Sequence, residues 1–177
     1  MACNVEIKAY LRDRARVEAE LRTLGARDLG EESQVDVFWD APRARLKLRI
    51  SSRDGAVLIA YSRPDDAALR ASRYDLVPVS HPDELRRALD HALVPAGEVR
   101  KRRHLYWVDN VRVHLDAVDG LGTFLELEAV VDGTHPEPVC ARSAAELLAR
   151  FAIPARDHLA VAYVDLLRSA GGAGAIH

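Results

Sequence analysis

The stretch Asn110–Val131, NVRVHLDAVDGLGTFLELEAVV, decides how the rest of the chain is read. Two runs alternate apolar and polar residues on either side of a turn at Asp119-Gly120. In the first, Val111, Val113 and Leu115 point one way and Arg112, His114 and Asp116 the other. In the second, Leu125 and Leu127 oppose Glu126 and Glu128. A period of two belongs to a strand, and a short turn between two such runs makes them an antiparallel hairpin. Each strand therefore has one apolar face and one face that is charged.

The same pattern recurs outward from this hairpin. NVEIKAY (4–10) places Asn4, Glu6, Lys8 and the Tyr10 hydroxyl on one face. Further strands are predicted at SQVDVFWD (33–40), RLKLRIS (45–51), AVLIAYSR (56–63), RYDLVPV (73–79) and EVRKRRHLYWV (98–108). Four helices fall between or after them. The first runs from Arg14 to Leu24, with Val17, Leu21 and Leu24 on one face and Gly25 to end it. Ser80 and Pro82 open the second, which buries Leu85, Ala88, Leu89 and Ala92. Ser143 with Glu146 forms a capping box for the third, and the fourth runs from Asp157 to Ala170. Eight strands joined mostly by hairpins predict an α+β protein: an antiparallel β-barrel with the helices packed outside. Residues 1–170 read as a single domain and the tail 171–177, GGAGAIH, as disordered.

Composition narrows the function. A formal net charge of −2 speaks against a surface made for nucleic acid, so an anion site must be local. No apolar run reaches the length of a membrane span and the N-terminus has no signal-peptide core. Cys3 and Cys140 lack CxxC spacing and read as reduced thiols in a cytoplasmic protein. RKRRH (100–104) resembles a nucleic-acid patch, but alternation splits its charges between two faces. His104, His114 and His158 show no zinc spacing and read as structural, although His114 lies on the charged face. Trp39 and Trp107 read as core. There is no GxxxxGK[ST] and no GxGxxG, so a glycine-rich phosphate loop is not expected.

The polar faces, taken together, carry Glu6, Lys8, Arg45, Lys47, Arg49, Arg63, Arg73, Asp75, Lys101, Arg103, Arg112, His114, Asp116, Glu126 and Glu128. The chain has only three lysines among 25 basic residues, and all three, Lys8, Lys47 and Lys101, are in this set. If helices cover the apolar faces and the sheet closes, these charges line its interior. So many enclosed cations call for a polyanion, water or a divalent ion among them.

In order along the chain, NVEIK, QVDVFWD, RLKLRI, SRYDLVPV, VRKRRHLYWVDNVRVHLD and GLGTFLELE resemble the motifs of the CYTH superfamily, the triphosphate tunnel metalloenzymes. The likeness is nearest to the class IV adenylyl cyclase-like branch and extends to AYVDLL (162–167). It implies an eight-stranded tunnel that binds ATP or another triphosphate with Mg²⁺ or Mn²⁺, with a homodimer allowed. By position it implies Glu6, Glu126 and Glu128 as metal ligands, with Asp116 an additional candidate. Lys8, Lys47, Arg49 and Lys101 would act in catalysis, and Asn4, Arg63, Arg73, Arg103 and Arg112 in substrate binding. Carboxylates suit hard cations and guanidinium forks suit phosphates.

The chain departs from the family where Asn4 replaces the first Glu of Glu-x-Glu-x-Lys, and Asp75 stands where Glu is more frequent. Three functions stay open: cyclisation of ATP to cyclic AMP and pyrophosphate, hydrolysis of a triphosphate (inorganic tripolyphosphate, thiamine triphosphate or a nucleotide), and non-catalytic polyphosphate binding.

Overall fold

A computed structural model describes residues 2–62 and 66–172. The strands are β1 (Ala2–Tyr10), β2 (Arg27–Asp40), β3 (Arg45–Ser51), β4 (Gly55–Ser62), β5 (Arg70–Val79), β6 (Val94–Val108), β7 (Val111–Val118), β8 (Gly122–Val130) and the two-residue β9 (His158–Leu159). They pair in the order β5-β4-β3-β2-β6-β7-β8-β1-β9, and β5 also pairs with β1. The last pairing closes β1 to β8 into an antiparallel barrel of eight strands, as the alternation predicts. Beyond Glu6, which faces Arg70, β5 leaves β1; β9 then takes up Lys8 and Ala9.

The helices are α1 (Arg14–Thr23), α2 (Pro82–Ala92), α3 (Glu137–Arg150) and α4 (Tyr163–Gly172). The Asp13 side chain accepts from the Arg16 N–H to start α1, and Gly25 at φ 65° turns the chain out of it. α1 and α3 cover the outer face of β1, β7 and β8, where Val5, Ile7, Val113, Leu115, Leu125 and Leu127 pack with Val17, Leu21, Leu147 and Phe151. α2 covers Val37, Trp39 and Leu48 through Leu85, Leu89 and Leu93, and Asp90 accepts from the Trp39 indole N–H at 2.8 Å. Ala88 and Ala92, expected in that contact, are exposed.

Two helix starts differ from expectation. α3 begins six residues before Ser143, because Pro136 in extended conformation accepts the first helical bond and Pro138 is tolerated in a first turn. α4 begins at Tyr163 and not at Asp157. Residues Ala155–Asp157 form a 3-10 turn, and β9 follows because it fills the edge of β1 that β5 vacates. Asp157 serves as an anchor, accepting from Arg12 Nε and Nη2 at 3.0 and 2.9 Å. Of the tail, Gly171 and Gly172 close α4; the remainder lies outside the described residues, so its expected disorder does too.

The late start of α4 matters for the interior. Ala162, Tyr163 and Val164 pack with Phe38, Val99, Val118 and Phe124, whose alternation phase points inward. An apolar layer thus crosses one end of the barrel. Gly97, at φ 136°, has the room for it: a Cβ there would lie 3.0 Å from Val164 Cγ2.

Candidate functional site

The inward rows of the barrel strands meet above this layer. β1 contributes Asn4, Glu6 and Lys8; β2 Asp36; β3 Lys47 and Arg49; β5 Ser72 and Tyr74; β6 Lys101; β7 Arg112; β8 Glu126 and Glu128. Tyr163 joins them from α4. They surround a cavity of about 180 Å³. A second cavity, of about 440 Å³, continues it along the barrel and shares Arg49, Ile59, Leu76, Arg112 and Glu128 with it. The interior is therefore a continuous tunnel with a strongly ionic inner half.

The charges are arranged as two hubs. In the first, Asp36 accepts both guanidinium N–H groups of Arg49, at 2.7 and 2.8 Å, and the ammonium groups of Lys47 and Lys101, at 3.2 and 3.4 Å. Burial would raise the Asp36 carboxyl, but Arg49, Lys101 and Lys47 together hold it well below the usual range. The lysines go the other way. Burial, then the neighbouring Arg103, lowers Lys101 to about 7; burial and Arg49 lower Lys47 to about 8.

The second hub is built on β8. Glu126 accepts from Lys8 at 2.7 Å and from Arg103 at 2.6 Å, while Arg112 reaches Glu128 at 3.0 Å. Burial opposes ionisation of Glu126, yet Lys8, a bond from His114 and Arg103 keep its carboxyl well below the ordinary value. Glu128 is lowered likewise, against burial, by Arg112 and His114. His114 Nδ1 lies 3.4 Å from Glu126 and 4.0 Å from Glu128; burial and then Arg103 lower its pKa, so near neutral pH the ring is uncharged. Carboxylates thus offset much of the cationic excess that the strand faces alone suggested.

A divalent ion fits this second hub. Ligand atoms of His114, Glu126 and Glu128 all come within 4.8 Å of one another. Two ionised carboxylates with water suit Mg²⁺, and a neutral imidazole beside them suits Mn²⁺ as well. Glu6 stands opposite Glu128 in the β1–β8 register, with Arg70 Nε 3.7 Å from its carboxylate.

Several residues expected at the site are placed elsewhere. Asp116 is buried outside the His114–Glu126–Glu128 group: Arg103 donates to both its oxygens at 2.7 Å, and the Tyr163 hydroxyl donates to one of them at 3.0 Å. Arg73 is on the outer face, exposed, and bonded to Glu137 of α3 at 3.2 Å. Asp75 shares that outer phase and is exposed. The phase of β5 is the reverse of the expected one, so Arg70, Ser72 and Tyr74 face inward. Arg63 lies outside the described residues. Arg103 is inside, lining the second cavity, and pairs with Asp116 and Glu126.

Asn4 has defined partners. Its amide donates to Glu128 at 3.4 Å, and its carbonyl accepts from Tyr74 at 3.2 Å. It sits where a carboxylate would have met Glu128, and it orients that group without adding charge.

Asp36, Arg70, Tyr74 and Tyr163 were missed in the sequence. For Asp36 the signal was present, because Gln34 and Asp36 alternate with Val35, Val37 and Trp39.

The chain belongs to the CYTH domain family, whose family model matches residues 2–163. It is 26% identical over 171 residues to the Methanocaldococcus jannaschii protein named "Putative adenylate cyclase", covering 92% of this chain and 97% of that one. Among solved structures, the PH1012 protein of Pyrococcus horikoshii superposes with a TM-score of 0.81 at 23% identity, covering 92% of this chain and 98% of its own. A Hippeastrum protein described as a "Putative adenylyl cyclase" with a dominant triphosphatase activity matches with a TM-score of 0.61 at 19% identity, over 96% of each chain.

Proposed function

We propose that this chain is a divalent-metal-dependent enzyme that converts ATP to cyclic AMP and pyrophosphate inside the barrel. The observation that supports the reading best is the pairing of two hubs in one cavity. Lys47, Arg49 and Lys101 converge on a single carboxylate, and Glu126 and Glu128 of a carboxylate-imidazole set line the same cavity. Cations that converge on one anion are spaced to grip the oxygens of a phosphate chain.

Glu126, Glu128 and His114 would hold the ion, with Glu6 beside them. Bound there, Mg²⁺ or Mn²⁺ would polarise the attacked phosphate and lower the pKa of the hydroxyl nucleophile. The chain's own residues hold the triphosphate: Lys8, Lys47, Arg49, Lys101 and Arg112 line the cavity from four strands and offset charge that builds on the leaving pyrophosphate. In the reaction the ribose 3′-oxygen forms a bond to the α-phosphorus. The bond from that phosphorus to the bridging oxygen breaks, and the hydroxyl proton passes to solvent. Arg70, buried beside Glu6 and not itself a lining residue, would act on the site through that carboxylate.

Hydrolysis of a triphosphate is the second reading. The density of cations in the inner half favours it, since they serve the phosphates whatever is attached. The two free cysteines, Cys3 and Cys140, agree with a cytoplasmic setting. Among the described residues, no helix is long and apolar enough to cross a membrane.

Incubation with ATP, tripolyphosphate and thiamine triphosphate in Mg²⁺ or Mn²⁺, with products identified by phosphorus NMR, tests the proposal. Cyclic AMP and pyrophosphate are expected from ATP. Inorganic phosphate from any of the three favours hydrolysis, and unchanged substrates throughout would refute both enzymatic readings.

A further inference from the structure

The outer half of the tunnel differs in chemistry from the inner half. Its walls set Val57, Ile59, Pro78 and Leu105 beside Arg103, His114 and Glu128, and β2 and β3 add a buried polar network. Glu32 accepts from the Gln34 amide N–H at 2.7 Å through one oxygen and from the Ser51 hydroxyl through the other. Ser51 is itself fixed, accepting the backbone N–H groups of Arg53 and Asp54 at 3.0 and 3.2 Å. This network sets the amide of Gln34: its nitrogen must face the Glu32 carboxylate, so its oxygen faces away. That oxygen is buried and has no hydrogen-bond partner, in a residue only 5% exposed.

A buried acceptor left open is unfavourable unless something donates to it. The partner sits in the cavity of about 440 Å³, whose wall is part apolar and part charged and which shares Arg49, Arg112 and Glu128 with the ionic half. A ligand held in that half can therefore extend a donor to it. The opposite end offers no such room, because the apolar layer of Phe124, Tyr163 and Val164 crosses the barrel there.

We infer that the outer half binds the nucleoside of a nucleoside triphosphate, and that Gln34 Oε1 accepts from an N–H donor on its base, as adenine offers through its exocyclic amine. The inference rests on the inner half being the triphosphate site. Glu32 and Ser51 act as positioning residues that hold the Gln34 amide in one orientation. Val57, Ile59 and Leu105 give the flat, weakly polar ring its apolar surroundings. A pocket built to satisfy a polar group rejects an analogue that lacks it.

Equilibrium titration in EDTA, where no divalent ion supports turnover, tests this with three ligands: ATP, purine riboside triphosphate, which lacks the exocyclic amine, and tripolyphosphate. The wild-type protein is expected to favour ATP over purine riboside triphosphate by about tenfold, the worth of one hydrogen bond. Gln34→Met should erase that preference and leave tripolyphosphate affinity unchanged. The inference is overturned if the wild-type protein does not distinguish the two nucleotides, a result that needs no variant. It is equally overturned if Gln34→Met keeps the preference. Should tripolyphosphate bind while the nucleotides gain nothing over it, only the nucleoside assignment fails. Should tripolyphosphate fail to bind in Mg²⁺ as well as in EDTA, the triphosphate reading fails with it.

Discussion

Asp36 holds together three cations that would otherwise repel one another in a buried cavity. Removing one partner from such a group leaves uncompensated charge, which costs roughly 3–5 kcal/mol. Asp36→Ala is therefore expected to lower the stability of the ligand-free protein by that order in chemical denaturation, and tripolyphosphate should restore part of it. The pH dependence follows from the same hub. Asp36 has a depressed carboxyl pKa, so its stabilisation is complete above its unfolded value, roughly 3.9, and is lost as pH falls through the lower folded value. Lys101 and Lys47, lowered to about 7 and about 8, have the opposite consequence: between those values and the unfolded value near ~10.4 the unfolded chain binds more protons, so their contribution to stability rises with pH. A bound polyanion favours their charged forms. Tripolyphosphate binding near pH 8 should take up protons, seen by calorimetry in buffers of different ionisation enthalpy, and Lys101→Arg should reduce the uptake because a guanidinium stays charged. No buffer dependence would contradict the assigned role of Lys101. At Asn4, a new carboxylate would face Glu128 in place of a donated N–H. Asn4→Glu is expected to weaken tripolyphosphate binding several-fold; a gain in both second-metal affinity and turnover would show that the site had lost a metal ligand.

At the scale of the element, the strands were legible where a helix covers one face. β1, β7 and β8 carry apolar outer rows beneath α1 and α3, so the polar row had to be the inner one. On β5, Arg73 and Asp75 are exposed, and Arg73 meets the start of α3 through an ion pair with Glu137 and not through an apolar contact. The outer row of β5 is free to be charged, while Tyr74 and Leu76 turn inward to the cavity. Polarity alone then chooses the wrong face. Tyr163 was hidden for another reason: it reaches the site from a helix whose start is set by β9 filling a gap beside β1, a tertiary event with no local signature. These placements make opposite forecasts for neighbouring arginines. Arg73→Ala should leave tripolyphosphate affinity unchanged, because the side chain pairs with Glu137 outside the barrel. Arg70→Ala should weaken it, because Arg70 is buried beside Glu6. Calorimetric titration of both variants checks the phase of β5, and a loss confined to Arg73→Ala would reverse it.

For the whole molecule, closure of the sheet converts eight half-polar strands into one enclosed ionic site. The closing pair is β1 with β5, and it brings Glu6 to Arg70 and Asn4 to Ser72. The antiparallel barrel and its charged lining could be read from alternation together with the order of motifs. Which cation meets which carboxylate could not, because each pair joins different strands and its partner is set by sheet closure and register, from Arg49 with Asp36 across β2 and β3 to Lys8 with Glu126, 118 positions apart. The central claim is that this interior binds a triphosphate through its cations and a divalent ion through Glu126, Glu128 and His114. Titration of tripolyphosphate into the wild-type protein and Glu128→Ala, each in Mg²⁺ and in EDTA and each with its fold checked by circular dichroism, tests it most directly. Saturable one-to-one binding is expected in Mg²⁺, weaker both in EDTA and in the folded variant. Absence of saturable binding, or binding indifferent to both metal and Glu128, would contradict it.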